Sequence, residues 1–128
     1  MSTRSEIYIT ANNETIRMYQ HYDGYFKGVG FYLAESIIAI KQQYQPSYRL
    51  GVFIKTLLES DYTISMIPAH DIEYVYDVNF DPIGDGHIKV LGCQARYNRK
   101  GILVRGEQRD MLKMLVAHIN ETLPTKGA

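Results

Sequence analysis

The alternation of apolar and polar residues in the first part of the chain does most to restrict the possible folds. Ile7 and Ile9 share one face of a first segment, and Ile16 and Met18 share one face of a second. A period of two is typical of strands that bury one face. Two adjacent asparagines stand between the segments, and asparagine tolerates the positive φ angles of tight turns. The pattern predicts a β-hairpin over residues 6–22.

A second pair of segments alternates in the same way and predicts another hairpin, over residues 72–97. Apolar and polar residues alternate from Ile72 to Phe80 and again from Ile88 to Tyr97. The glycine- and aspartate-rich stretch 81–86 between them is typical of a loop. Shorter strands are predicted over residues 62–67 and 102–104.

Elsewhere the apolar residues recur at steps of three and four, which is the spacing of a buried helical stripe. The first such stripe begins at Val29, and Pro46 ends it because proline cannot continue a helix. The spacing predicts helices over residues 29–44, 47–59 and 106–123.

The predicted elements follow the order ββααβββα. Strands grouped into hairpins, with the helices grouped apart from them, are typical of the α+β class. We expect an antiparallel sheet of two hairpins plus a short strand, with three helices packed on one face. A chain of 128 residues can bury one core. We therefore expect a single domain over residues 1–128 that ends in a tail over residues 124–128.

Composition excludes several classes of protein. The net charge is zero and the pI is about 6.9, so no overall positive field draws the chain to nucleic acid. Cys93 is the only cysteine, which excludes an internal disulfide and a cysteine-rich zinc site. The sequence shows neither the apolar core of a signal peptide nor the run of about 18 apolar residues of a membrane span. We expect a cytoplasmic protein that does not bind membranes.

A ligand site is predicted where the first hairpin ends and the first helix begins. An antiparallel hairpin brings its two ends together, and spaced glycines at a helix start offer backbone amides to an anion. Arginine and histidine beside such amides are suited to a phosphate or carboxylate. The alternative is structural, with an ion pair between Arg4 and Asp23 that locks the hairpin to the helix. The candidate ligand-binding residues are Arg4, His21, Asp23, Tyr25, Gly28 and Gly30.

Charge is segregated along the second half of the chain. No lysine or arginine stands between Lys55 and Lys89, a stretch with many acidic residues, whereas residues 89–113 are rich in basic ones. Such segregation is typical of a surface that meets a charged partner. The alternative is that two solvated faces pair with each other across the hairpin. The candidate partner surface consists of Asp77, Arg96, Arg99, Lys100, Arg105 and Arg109.

The residues predict no metal site, no bound cofactor and no catalytic group. The glycines at 28 and 30 do not complete a dinucleotide-binding fingerprint, because Leu33 stands in place of the third glycine. His70 and His87 lack the spacing of ligands on one element and are best interpreted as polar loop residues. Cys93 has no recognisable histidine base and is expected to be a small core residue.

Two motifs together resemble a known family. Thr3-Arg4-Ser5 precedes a strand pair, and His21-Tyr22-Asp23-Gly24-Tyr25 with following glycines precedes a helix. This pattern is similar to a family of small uncharacterised proteins of phages, prophages and other mobile elements, in which a later Tyr-Val-Tyr strand is common. The likeness covers residues 2–33 and 74–78. This chain departs from the family pattern at Ser2, Tyr22 and Phe26, where glycine, tryptophan and proline are usual.

The resemblance implies a setting in which small proteins bind and block host machinery. We expect a non-catalytic binding protein that occupies a host protein, such as one of a defence system, or a small anionic ligand. The alternative is a small enzyme acting on a phosphorylated or nucleotide substrate, with His21 as the general acid or base. The eleven tyrosines and the edge strand at 102–104 further predict a homodimer.

Overall fold

The computed structural model of the protein describes residues 2–80 and 87–123. The predicted loop over 81–86 and the predicted tail over 124–128 lie outside these residues. The α+β class is confirmed. In chain order the elements are β1 (Ser5–Ala11), β2 (Glu14–Gln20), a π-helical turn (Phe26–Gly30), α1 (Phe31–Gln43), α2 (Pro46–Glu59), β3 (Thr63–Ile64), β4 (Tyr74–Phe80), β5 (Ile88–Tyr97), β6 (Leu103–Arg105), β7 (Arg109–Asp110) and α3 (Met111–Thr122).

Both predicted hairpins are present. β1 pairs antiparallel with β2, and β4 pairs antiparallel with β5. Asn12 and Asn13 make the first turn with φ angles of 53° and 65°, the left-handed conformation that asparagine tolerates. Alternation therefore located the strands and their turn correctly.

The sheet is mixed, so the expectation of a wholly antiparallel sheet was wrong. β4 lies beside β1 and runs parallel to it, with Ser5 opposite Tyr74 and Ala11 opposite Phe80. The strand order is β3-β2-β1-β4-β5-β6, and β7 also pairs with β5. A parallel pair needs a long crossover, and the chain between β1 and β4 contains α1 and α2. The parallel pairing of β1 with β4 thus joins the two hairpins into one sheet.

The last helix begins later than predicted, because the residues assigned to its first turn belong to the sheet edge. β6 and β7 both pair with β5, from Ala95 opposite Arg105 to Gly92 opposite Arg109. Between these two pairs the edge has three residues (106–108), whereas β5 has two (93 and 94). The extra residue makes a β-bulge. α3 begins at Met111, where Asp110 caps it by accepting hydrogen bonds from two backbone amides.

The helices pack on one face of the sheet, as predicted. Ile7 and Met18 from the first hairpin, Leu33 from α1 and Leu115 from α3 are buried in one apolar cluster on that face. The opposite face contains a buried carboxylate, Glu6, which the sequence analysis did not single out. Its Oε2 lies 3.5 Å from Arg17 Nε and 3.3 Å from the Ala69 amide nitrogen, so the buried charge is paired.

Candidate functional site

The two motif segments, Thr3-Arg4-Ser5 and residues 21–30, touch each other. The Gly24 amide donates a hydrogen bond of 2.9 Å to the Thr3 carbonyl oxygen. A Cβ atom on Gly24 would lie 3.0 Å from the Ser5 Cβ and 2.8 Å from that carbonyl oxygen. Asp23 precedes Gly24 with a φ of 56° and turns the chain sharply away from β2. The predicted convergence of these ends is therefore observed in the backbone.

Tyr76 on β4 holds the glycine-rich segment in place. Its hydroxyl donates a 2.5 Å hydrogen bond to the Gly24 carbonyl oxygen. A Cβ atom on Gly30 or Gly92 would lie 3.0 Å or 2.7 Å from the Tyr76 ring. Burial raises the pKa of the Tyr76 hydroxyl, so it stays neutral. We call Tyr76 with Gly24, Gly30 and Gly92 the Tyr76 cluster.

Gly28 also has a packing role. A Cβ atom at this position would overlap the carbonyl oxygen of Asp23. The Gly28 amide donates to the Tyr25 carbonyl oxygen at 3.0 Å, and the Val29 amide donates to Asp23 O at 2.8 Å. The Gly28 amide, which was expected to meet an anion, thus has a partner within the chain, and Gly30 is packed against Tyr76.

The outer side of the same segment forms an open pocket rich in tyrosine. Its volume is about 300 Å³, and it lies between the glycine-rich segment, the start of α1 and the end of α2. The rings of Tyr32 and Tyr62 stack with centroids 5.6 Å apart, and the Tyr32 hydroxyl lies 2.8 Å from Ser60 Oγ. We call this the tyrosine pocket; it is lined by Gln20, Tyr22, Asp23, Tyr25, Gly28, Val29, Tyr32, Ser60 and Tyr62.

The charge of the tyrosine pocket is negative. Asp23 is the one charged residue among those that line it, and no lysine or arginine is among them. The Tyr25 hydroxyl lies 3.5 Å from Asp23 Oδ1. The pKa of the Tyr62 hydroxyl is raised, first by burial and then by Tyr32 and the Asp23 carboxylate. The wall therefore consists of neutral tyrosines and one carboxylate.

Three of the six predicted ligand-binding residues, Asp23, Tyr25 and Gly28, line this pocket. Arg4 and His21 do not. Arg4 offers its backbone carbonyl to the amides of the chain leading into β4, and within the described residues it forms no ion pair with Asp23. His21 Nδ1 lies 2.7 Å from the Tyr19 hydroxyl. Gly30 faces inwards, in the Tyr76 cluster.

Three pocket tyrosines were not among the predicted site residues. Tyr22 was in the motif but was counted as a strand residue. Tyr32 lies in the first turn of α1, and Tyr62 follows α2, so they are 30 residues apart in the chain and meet only through folding. The high tyrosine content was the available signal, because tyrosine is enriched at binding surfaces.

The six residues of the predicted partner surface do not share one face. The Asp77 carboxylate pairs with Arg105 at 2.6 Å on the face of the sheet opposite the helices. On the helix side, Arg96 and Arg109 line a small cavity of about 110 Å³, where Arg109 lies 5.1 Å from the Phe26 ring centroid. Arg99 and Lys100 are exposed in the turn between β5 and β6.

No metal-binding cluster is found in the described part of the chain. Over residues 2–80 and 87–123, no group of three or more histidine, cysteine, aspartate or glutamate side chains could hold a metal ion. Cys93 is buried, and burial raises its thiol pKa. None of the helices in these residues is long and apolar enough to cross a membrane.

Comparison with known proteins adds no relative. No family model, no curated protein and no solved structure matches this chain. The function is therefore argued from the geometry of the site.

Proposed function

We propose that this is a non-catalytic binding protein of a phage or other mobile element, which binds a host protein through the tyrosine pocket. The observation that supports this is a cluster of four tyrosines around an open cavity, two of them largely exposed. Tyrosine offers a large apolar area with a polar tip at a small entropic cost, and it is enriched among the residues that dominate binding energy.

The framework behind the pocket suits a binding role. The chain from Asp23 to Gly30 is held by hydrogen bonds to Thr3 and Tyr76 and by close packing at its glycines. Tyr32 and Tyr62 stack on each other, and the Tyr32 hydroxyl is hydrogen-bonded to Ser60. A preformed site loses less conformational entropy when a partner binds, which leaves more of the contact energy for affinity.

The charge of the pocket favours a protein surface over a small anion. An anion in this cavity would meet the Asp23 carboxylate and no basic lining residue. The alternative function, a small enzyme with His21 as its general acid or base, has less support. His21 is bonded to Tyr19 and does not line the pocket, and a general base must lie within hydrogen-bonding reach of its substrate.

A pull-down from bacterial lysate with matched variants tests the proposal. Tyr25→Ala removes a pocket ring, whereas Tyr48→Ala removes another exposed tyrosine near the start of α2, roughly 18 Å along the helix from Ser60. We expect one host protein to be enriched by the wild type and by Tyr48→Ala and lost with Tyr25→Ala. Equal capture by all three forms would exclude the pocket as the binding site.

A further inference from the structure

We infer that the tyrosine pocket receives a positively charged side chain, arginine or lysine, of the protein that it binds. This inference rests on the proposed function and adds the chemistry of the group that enters the pocket. It depends on the aromatic rings of the pocket, on its single carboxylate, and on the absence of lysine and arginine from its lining.

The aromatic rings are the first support. The faces of tyrosine rings carry partial negative charge and attract ammonium and guanidinium groups. Tyr22 and Tyr25 are 61% and 43% exposed, and they line the cavity together with the stacked pair of Tyr32 and Tyr62. A cation in the cavity can therefore meet aromatic rings from separate segments of the chain.

The carboxylate is the second support. Asp23 is exposed and lines the cavity, and its Oδ1 lies 3.5 Å from the Tyr25 hydroxyl. It forms no ion pair within the described residues, although basic residues elsewhere in the protein do pair with acids. The Asp23 carboxylate is thus available for a charge-assisted hydrogen bond with an incoming cation.

The size of the cavity fits one long side chain. Its volume of about 300 Å³ is at the lower end of the range for small-molecule sites, about 300–1,000 Å³. Arginine combines an apolar stem with a planar guanidinium that stacks on aromatic rings and binds carboxylates in two places. Those two properties match the ring walls and the Asp23 carboxylate.

The test uses the intact protein and three short peptides that differ at one position. The probe is a blocked Gly-Arg-Gly peptide; the controls carry citrulline, which keeps the shape without the charge, or glutamate. Binding is followed by NMR of tyrosine ring signals. We expect saturable shifts of the Tyr22, Tyr25 and Tyr32 rings with the arginine peptide, at least about tenfold weaker binding with citrulline, and none with glutamate.

Two variants make the test specific to the site. Asp23→Asn removes the charge and retains a residue that tolerates the φ of 56°, so the fold is preserved. We expect it to weaken binding of the arginine peptide about tenfold, and we expect Tyr48→Ala to leave it unchanged. Higher salt should weaken binding to the wild type more than to Asp23→Asn.

The outcomes separate this inference from the proposed function. Equal binding of the arginine and citrulline peptides, or no effect of Asp23→Asn, would overturn the cation assignment. Tetramethylammonium that binds while the arginine peptide does not would place a small organic cation in the pocket and overturn the side-chain assignment. If no peptide binds and the lysate pull-down still depends on Tyr25, the proposed function stands and the present inference fails.

Discussion

The two sides of the segment from Asp23 to Gly30 use tyrosine in opposite ways. On the inner side, Tyr76 is fully buried, and its hydroxyl is bonded to the Gly24 carbonyl. On the outer side, Tyr22 and Tyr25 are 61% and 43% exposed around an open cavity. The glycines of this segment are explained by close packing, of Gly24 against the Thr3 carbonyl, of Gly28 against the Asp23 carbonyl and of Gly30 against Tyr76. The partly exposed rings around the cavity point to binding on the outer side.

The largest effect is expected on the inner side. Tyr76→Ala removes a buried ring from between Gly30 and Gly92, and it should lower the free energy of unfolding by about 3–5 kcal/mol. Tyr76→Phe keeps the ring but leaves the Gly24 carbonyl without its partner, which should cost about 1–3 kcal/mol. Urea unfolding followed by circular dichroism measures both. A loss below about 1 kcal/mol for Tyr76→Ala would show that the cluster does not hold the segment.

A pair of glycine variants tests whether close packing explains the motif. Gly28→Ala places a methyl group against the Asp23 carbonyl and should destabilise the protein by about 1–3 kcal/mol. Gly51→Ala in α2 meets open space and should stabilise it by about 0.5–1 kcal/mol, because alanine favours helices. The same urea experiment compares them. If both changes had the same sign, packing would not account for Gly28.

A smaller effect on stability is expected for a surface ion pair that belongs to neither side of the segment from Asp23 to Gly30. Arg105→Ala removes the contact with Asp77, and both side chains are partly exposed. We expect a loss of about 0–1 kcal/mol, since solvent screens such pairs, and a smaller loss in 1 M salt. Melting curves at two salt concentrations measure it. A loss of stability as large as that of Tyr76→Ala would mean that the pair of Arg105 and Asp77 is also a main support of the fold.

The smallest change in stability is expected from the outer side. Tyr22→Ala and Tyr25→Ala remove rings that are 61% and 43% exposed, so each should change the free energy of unfolding by no more than about 0.5 kcal/mol. Urea titration of the two variants checks this. A loss above about 2 kcal/mol would show that these rings support the fold, and the contrast between the two sides would then disappear.

Sequence periodicity predicted the helices and strands well, but it did not predict which strands lie side by side in the sheet. The alternation around Ile7 and Met18 located the first hairpin, because one face of each strand is buried. Nothing in that alternation specifies which strand lies beside β1, so the parallel pairing with β4 was missed. The start of α3 was misplaced because Gly106 belongs to a bulge at the sheet edge, where regular alternation is interrupted.

The candidate site was predicted in part. Asp23 and Tyr25 were found because a turn and an aromatic residue before a helix suggest a ligand site. The anion was inferred from glycine amides, but in the fold the Gly28 amide has a partner within the chain and Gly30 packs against Tyr76. The aromatic wall of the pocket depends on Tyr32 and Tyr62, which reach it from distant parts of the sequence, and its negative charge comes from Asp23.

The affinity for the captured host protein tests the central claim most directly. We compare the wild type, Tyr22→Ala/Tyr25→Ala and the control Tyr48→Ala by calorimetry, after confirming equal stability by urea unfolding. The account predicts that the double variant binds at least about a hundredfold more weakly, which corresponds to about 2.7 kcal/mol, while the control binds like the wild type. Equal affinity of all three proteins would contradict the assignment of the tyrosine pocket as the binding site.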